Sequence, residues 1–220
     1  TETTTRGQGL DDILDRLASI EADPEGILTA YVADGHDVPD TVRSAFGDRA
    51  PLVSRAAPCL AVTDDDGLLG ACLSTPLAPE PFAEWNDHVE FERSWFQPTG
   101  TFTLALVRSD IFAMGTYEGN ERTAFHGFED DLKSQHSKGG FSQARFERLR
   151  DEQIDDHLDR CRVALDERTA DPLYVVGEHS VIHEFAGVAA QTQAVDATGD
   201  PEPALDDAFA EFWTVKIHAL

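Results

Sequence analysis

Residues Thr101–Tyr117 read TFTLALVRSDIFAMGTY. Two apolar runs, Thr101–Val107 and Ile111–Tyr117, are split only by Arg108-Ser109-Asp110. Each run is too short for a stable helix and is rich in β-branched and aromatic residues, so the pair predicts two strands of a hairpin. A third strand is expected at Thr123–Phe128, after the turn Glu118-Gly119-Asn120. A polar stretch, 129–140, follows. The pattern then changes to helical spacing from about Ser142 to Leu165, with Phe146, Leu149, Ile154, Leu158, Cys161 and Leu165 expected on one side. Beyond it lie a buried-type strand (Leu173–Gly177), a short helix near Ser180–Phe185 and a strand near Ala189–Val195. A helix from Pro203 to Phe212 and a last strand, Thr214–His218, complete the chain. Three strands in hairpin order, then alternating helix and strand, predict an α/β (α+β) chain with a mixed sheet carrying helices. That order suits an RNase H-like domain.

Upstream, Pro98-Thr99-Gly100 marks a joint, so a small α+β region is expected over 1–97 and a second domain over 98–220. Leu10, Ile13, Leu14, Leu17 and Ile20 recur at helical spacing. Gly26–Val32 is strand-like, and Pro39 opens a short helix through Val42 and Phe46. Cys59–Thr63 and Leu68–Leu73 flank Asp64-Asp65-Asp66-Gly67, a hairpin signal. Pro76, Pro79 and Pro81 then interrupt regular structure.

Of the 220 residues 41% are hydrophobic, which supports a core. Asp and Glu number 42 against 17 Lys and Arg, a formal charge of -25, which argues against an ordinary basic nucleic-acid binder. The acids are dispersed, from Asp11-Asp12 to Asp206-Asp207, and Lys133, Lys138 and Lys216 are the only lysines. The composition resembles that of proteins from salt-accumulating haloarchaea, where molar salt shortens the Debye length to about 3 Å and screens the self-repulsion. No apolar run approaches the ~20 residues of a membrane helix. Thr1-Glu2-Thr3-Thr4-Thr5 carries no secretory pattern, so a cytoplasmic protein is expected. Cys59, Cys72 and Cys161 are widely spaced and read as small core residues.

Lys133–Arg150 (KSQHSKGGFSQARFERLR) reverses the charge balance. Lys133, Lys138, Arg145, Arg148 and Arg150 face one acid, Glu147. A local positive island in so anionic a chain predicts a phosphate-rich partner. Gly139-Gly140 permits close backbone approach to a ligand. Ser142 is a candidate helix N-cap. Gln143 then sits in the first turn, where free amide N–H groups favour developing negative charge. A lone Gly-Gly would mean only a loop before a capped helix; its conjunction with glutamine and an arginine-studded helix is more specific.

The stretch Gly139-Gly140-Phe141-Ser142-Gln143-Ala144-Arg145-Phe146-Glu147-Arg148-Leu149-Arg150 resembles the Gly-Gly-Gln loop and following helix of archaeal and eukaryotic class I release factors. The strands before it and LYVVGEHSVIHEF (173–185) resemble the same catalytic domain, so the likeness spans roughly residues 100–220. In release factors glutamine directly follows the glycines; here Phe141 does, and glutamine comes at 143. Gly-Gly-aromatic-Ser-Gln is similar instead to the Vms/ANKZF-type peptidyl-tRNA hydrolases, the Vms-like release factors. The resemblance implies codon-independent rescue of stalled ribosomes. Its partners would be the large ribosomal subunit and peptidyl-tRNA; no cofactor, metal or membrane is implied, and no feature specifies an oligomeric state. Gln143, Gly139 and Gly140 take the catalytic roles it implies, and Lys133, Lys138, Phe141, Ser142, Arg145 and Arg148 those of RNA contact.

The expected reaction is hydrolysis of the ester joining the nascent peptide to the tRNA 3′ end. Two alternatives stand beside it: a ribosome-binding factor without release activity, suggested by Phe141 in the usual glutamine place, and an endonuclease cutting the tRNA 3′ CCA end. A third is an acidic interaction protein with no RNA partner. His179 and His183 with Glu178 and Glu184 could seed a metal site, but the order is not H-E-x-x-H and no third ligand stands out. A two-metal nuclease needs carboxylates on the sheet, and Thr101–Val107 has none. Trp85, Trp95 and Trp213 are expected to anchor cores.

Overall fold

The computed structural model describes residues 2–130 and 143–220, with the backbone alone at 143–146. Two compact units divide the chain: Thr1–Gln97 with Trp213–Leu220, and Pro98–Phe212.

The first unit contains β1 (Glu2–Thr5), α1 (Gln8–Ala18), β2 (Ile27–Val32), α2 (Asp40–Phe46), α3 (Ala50–Ala56), β3 (Cys59–Asp64), β4 (Gly70–Leu73) and β5 (Phe82–Asn86). β2 is buried along its whole length because both faces of its sheet are covered. Ile27 and Tyr31 pack with Leu10, Leu14 and Leu17 of α1. Their neighbours Leu28, Ala30 and Val32 point the other way, toward Val42 and Phe46 of α2 and Val53 of α3. This period-two division explains an unbroken apolar run in an antiparallel strand. The acidic hairpin turn is a built joint: an Asp64 carboxylate oxygen accepts the Leu69 N–H at 2.8 Å, and Gly67 takes a positive φ of 68°. Trp85 and Trp95 lie half-buried against the two cores of this unit.

The second unit contains β6 (Thr101–Val107), β7 (Ile111–Glu118), β8 (Glu121–Glu129), α4 (Gln143–Asp166), β9 (Leu173–Gly177), α5 (His179–Ile182), β10 (Gln191–Ala194) and α6 (Pro201–Phe212). Its sheet runs β10-β9-β6-β7-β8, with β6 antiparallel to β7 and parallel to β9. This is the mixed sheet expected from the order of elements. Residues alternate along β6. Ala105 and Val107 join Leu158, Cys161 and Leu165 of α4 in one core. Phe102, on the other face, stacks on Tyr117, which stacks on Phe209 of α6.

Two expectations need correction, and three elements were not anticipated. The last strand, β11 (Val215–Ala219), was expected to complete the second region, but it pairs with β1 and β4 in the first sheet. Its alternation permits either partner, and only tertiary pairing decides. Leu149 is exposed, the Phe146 side chain lies outside the described residues, and among the described residues the apolar stripe of α4 is the partly buried Ile154 with the buried Leu158, Cys161 and Leu165. β1, α3 and β5 carry weak patterns: ETTT has no apolar alternation, α3 has a proline in its first turn, and β5 is an edge strand following three prolines.

Gly177 ends β9 with φ at 142°, and a Cβ there would lie 2.0 Å from the Val107 carbonyl oxygen. The close parallel approach of β6 and β9 therefore requires glycine. Gly177→Ala should destabilise the protein by about 2 kcal/mol or more, read as a lower urea midpoint; an unchanged midpoint would contradict this packing.

Candidate functional site

Helix α4 begins, as backbone, at Gln143. Twenty-four residues make it about 36 Å long at 1.5 Å per residue. Its apolar stripe binds the sheet only from Ile154 onward, and residues 147–152 are all exposed. The side chains of 147–152 thus stand clear of the core, and the backbone N–H groups of the first turn lie at the leading end. The local sequence supports a helix without burial: Gln, Ala, Arg, Glu and Leu are good helix formers.

The two sides of this projecting segment differ. On one side a cleft of about 440 Å³ opens beneath Glu147, Arg150 and Asp151, beyond the C-terminal ends of β6 and β9. Its floor is Ser109 and the Glu178–Val181 turn. Glu178 is tied in place: its carboxylate accepts the Ser109 N–H at 3.2 Å and the Ser180 hydroxyl at 2.8 Å, while its own N–H donates to Val107 O at 3.1 Å. Burial pushes the Glu178 carboxyl up, but these bonds and the Arg108 charge outweigh it and leave it below the usual value. Asp155 and Glu184 add further acid, so the cleft repels phosphate.

Arg148 does not line this cleft. Arg148 Nε lies 3.8 Å from Glu152 Oε1, both side chains largely exposed. A pair of that kind is worth only ~0.3–0.5 kcal/mol, so Arg148 can exchange it for a phosphate. Of the other residues expected in the site, Lys133, Lys138, Gly139, Gly140, Phe141 and Ser142 lie outside the described residues. Gln143 and Arg145 are described by backbone only.

The sequence reading missed a cluster that joins α4 to the end of β8. His157 is completely buried, and its Nδ1 lies 2.6 Å from Asp130 Oδ2. Arg160, one turn on, pairs with Asp130 Oδ1 and sits over the Phe128 ring, 4.2 Å from its centroid. The signal available was a polar residue, His157, at a position in register with the buried stripe. Cys161 is buried there too, and burial first of all pushes its thiol up to about 12, so it is inert. His179 and His183 are both exposed, and among the described residues no three potential ligands are grouped to hold a metal.

Residues 100–218 match the family model acVLRF1, described as the Actinobacteria/chloroflexi VLRF1 release factor. The match covers more than half of the chain, which therefore belongs to the VLRF1 release factor family. Its role accordingly lies in translation, in termination or rescue. A comparison with curated proteins gave no match. Among solved structures, the chain is similar to the crystal structure of the archaeal translation termination factor aRF1 (12% identity, 95% of this chain, 73% of that chain, TM-score 0.33). It is also similar to a structure described as an archaeal protein (12% identity, 91% and 68%, TM-score 0.32). Among the described residues, no helix is long and apolar enough to cross a membrane.

Partial burial raises the Asp130 carboxyl, but the His157 hydrogen bond and the Arg160 charge and hydrogen bond outweigh it and hold the group below the usual value. A carboxylate with a lowered folded value stabilises the protein above the ordinary range, near 4, and loses that effect as pH falls through the folded value. Urea unfolding of wild type and Asp130→Asn should differ by about 1 kcal/mol at neutral pH, given a carboxylate that solvent still reaches. The gap should close as pH drops below about 4; a gap independent of pH would contradict the ionic assignment.

Proposed function

We propose that this chain is a codon-independent peptidyl-tRNA hydrolase that frees nascent peptides from stalled large ribosomal subunits. The observation that carries the reading is that α4 begins at Gln143 and that its residues 147–152 are exposed, in a chain of a release-factor family. A projecting helix end can enter a cavity that a packed one cannot. Gly139 and Gly140 would let the tip fit tightly there, and Lys133, Lys138, Ser142, Arg145 and Arg148 would hold RNA phosphates. Phe141 would stack on an unpaired base.

In the proposed reaction, water attacks the ester carbonyl carbon, and the bond to the tRNA 3′ oxygen breaks. The peptide leaves as a carboxylate and the tRNA regains its hydroxyl. A neutral amide takes no proton, so Gln143 acts by position: its carbonyl oxygen accepts a hydrogen bond from the water and aims it. Free N–H groups of the α4 first turn stabilise the oxyanion. The dispersed acids are read as an adaptation to salt. There, counterion release contributes little, and shape and hydrogen bonding carry more of the affinity.

Purified large subunits carrying peptidyl-tRNA test this in high salt. Wild type should release the peptide, and Gln143→Ala should slow single-turnover release by about 100-fold or more, as loss of one transition-state contact does. Equal release by both would remove Gln143 from the mechanism. Subunit binding with no release by wild type would favour a ribosome-binding factor instead.

A further inference from the structure

Asp130 is the last described residue before the 131–142 segment, one position beyond the end of β8. Its backbone N–H donates to Asp110 O at 2.9 Å, so main chain and side chain are both held. The carboxylate meets α4 at two points: His157 Nδ1 at 2.6 Å on one oxygen and Arg160 Nη1 on the other. The donors stand one turn apart on one rigid helix, so together they fix the plane of the carboxylate as well as its position.

This arrangement is costly if its only purpose is packing. His157 is fully buried, and its Nε2 has no partner among the described residues. Leucine would fill the same place beside Leu158 and Cys161 without an imidazole to desolvate. What the histidine supplies is a directed bond. The Phe128 ring, two residues before Asp130 on the same face of β8, packs edge-on to His157 at 5.5 Å and beneath Arg160 at 4.2 Å, which orients both donors. Position 143 lies fourteen residues up the same helix, about 21 Å at 1.5 Å per residue.

We propose that Asp130, His157 and Arg160 are positioning residues for release: a two-point clamp that locks the exit of β8 to the flank of α4. The chain then leaves β8 and re-enters at Gln143 from a single rigid body. The clamp touches neither the ester nor the RNA, and acts by holding the base of the segment in one orientation. This inference rests on the release reading for its functional consequence.

Arg160→Gln and Asp130→Asn test it. Arg160 is more than half exposed, so its substitution leaves the core intact. In single-turnover release at increasing protein concentration, each variant should lower the saturating rate at least tenfold. The half-saturating concentration should stay within twofold of wild type, and the thermal midpoint of Arg160→Gln should fall by no more than about 4 °C. Saturating rates within twofold of wild type would overturn the proposal, even if Asp130→Asn lowers the thermal midpoint; should Asp130→Asn fail to fold, Arg160→Gln decides alone. Gln143→Ala run alongside separates the two readings, since equal release by it and wild type condemns the release mechanism alone. In that event amide exchange of the free protein still decides the clamp. Arg160→Gln should speed exchange at Glu129 and Asp130 at least tenfold while leaving Tyr174–Val176 unchanged, and unchanged exchange at Asp130 would overturn it.

Discussion

The structure turns on how α4 is held: gripped along its C-terminal part and bare at its N-terminal end. Leu158, Cys161 and Leu165 enter the core formed by Ala105, Val107, Leu173 and Val175. Full burial of such side chains is worth ~1.5–3 kcal/mol each, which fixes this part of the helix to the sheet. Among the described residues before Ile154 no stripe continues; residues 147–152 are charged or otherwise exposed. A helical segment without tertiary packing is marginal in water. Its persistence depends on good helix-forming residues, the Arg148–Glu152 pair and the rigid continuation behind it. A projecting element that must keep its shape therefore requires a firmly seated base, which the parallel pair β6 and β9 provides.

Electrostatics divide the same segment lengthwise. The cleft side is acidic and organised around Glu178, while Arg148 lies outside the cleft lining. In a chain of charge -25, a phosphate-rich partner can approach only where acids are locally absent or neutralised. The cleft does not meet that condition.

Much of the second unit was legible because its strands are fully buried runs punctuated by short turns. TFTLALV and LYVVG admit few readings, and three hairpin-ordered strands followed by helix and strand define the sheet order. The helix carrying Gln143 was visible, but the extent of its buried face was not, since Leu149 is apolar and yet exposed. The destination of β11 could not be read either: VKIHA alternates acceptably in either sheet, and the choice rests on pairing with β4 across most of the chain. The Asp130–His157–Arg160 cluster was hidden for the same reason. Its members are 27 and 30 residues apart, and only the return of α4 across β8 brings them together.

The central claim is that an amide at a helix tip directs water to an ester. Release carried out in ¹⁸O-labelled water, with both products analysed by mass spectrometry, tests it most directly. The account predicts one ¹⁸O atom in the C-terminal carboxylate of the freed peptide and a tRNA whose terminal CCA is complete and unlabelled. A peptide still joined to CCA, with the label on a tRNA phosphate, would contradict it.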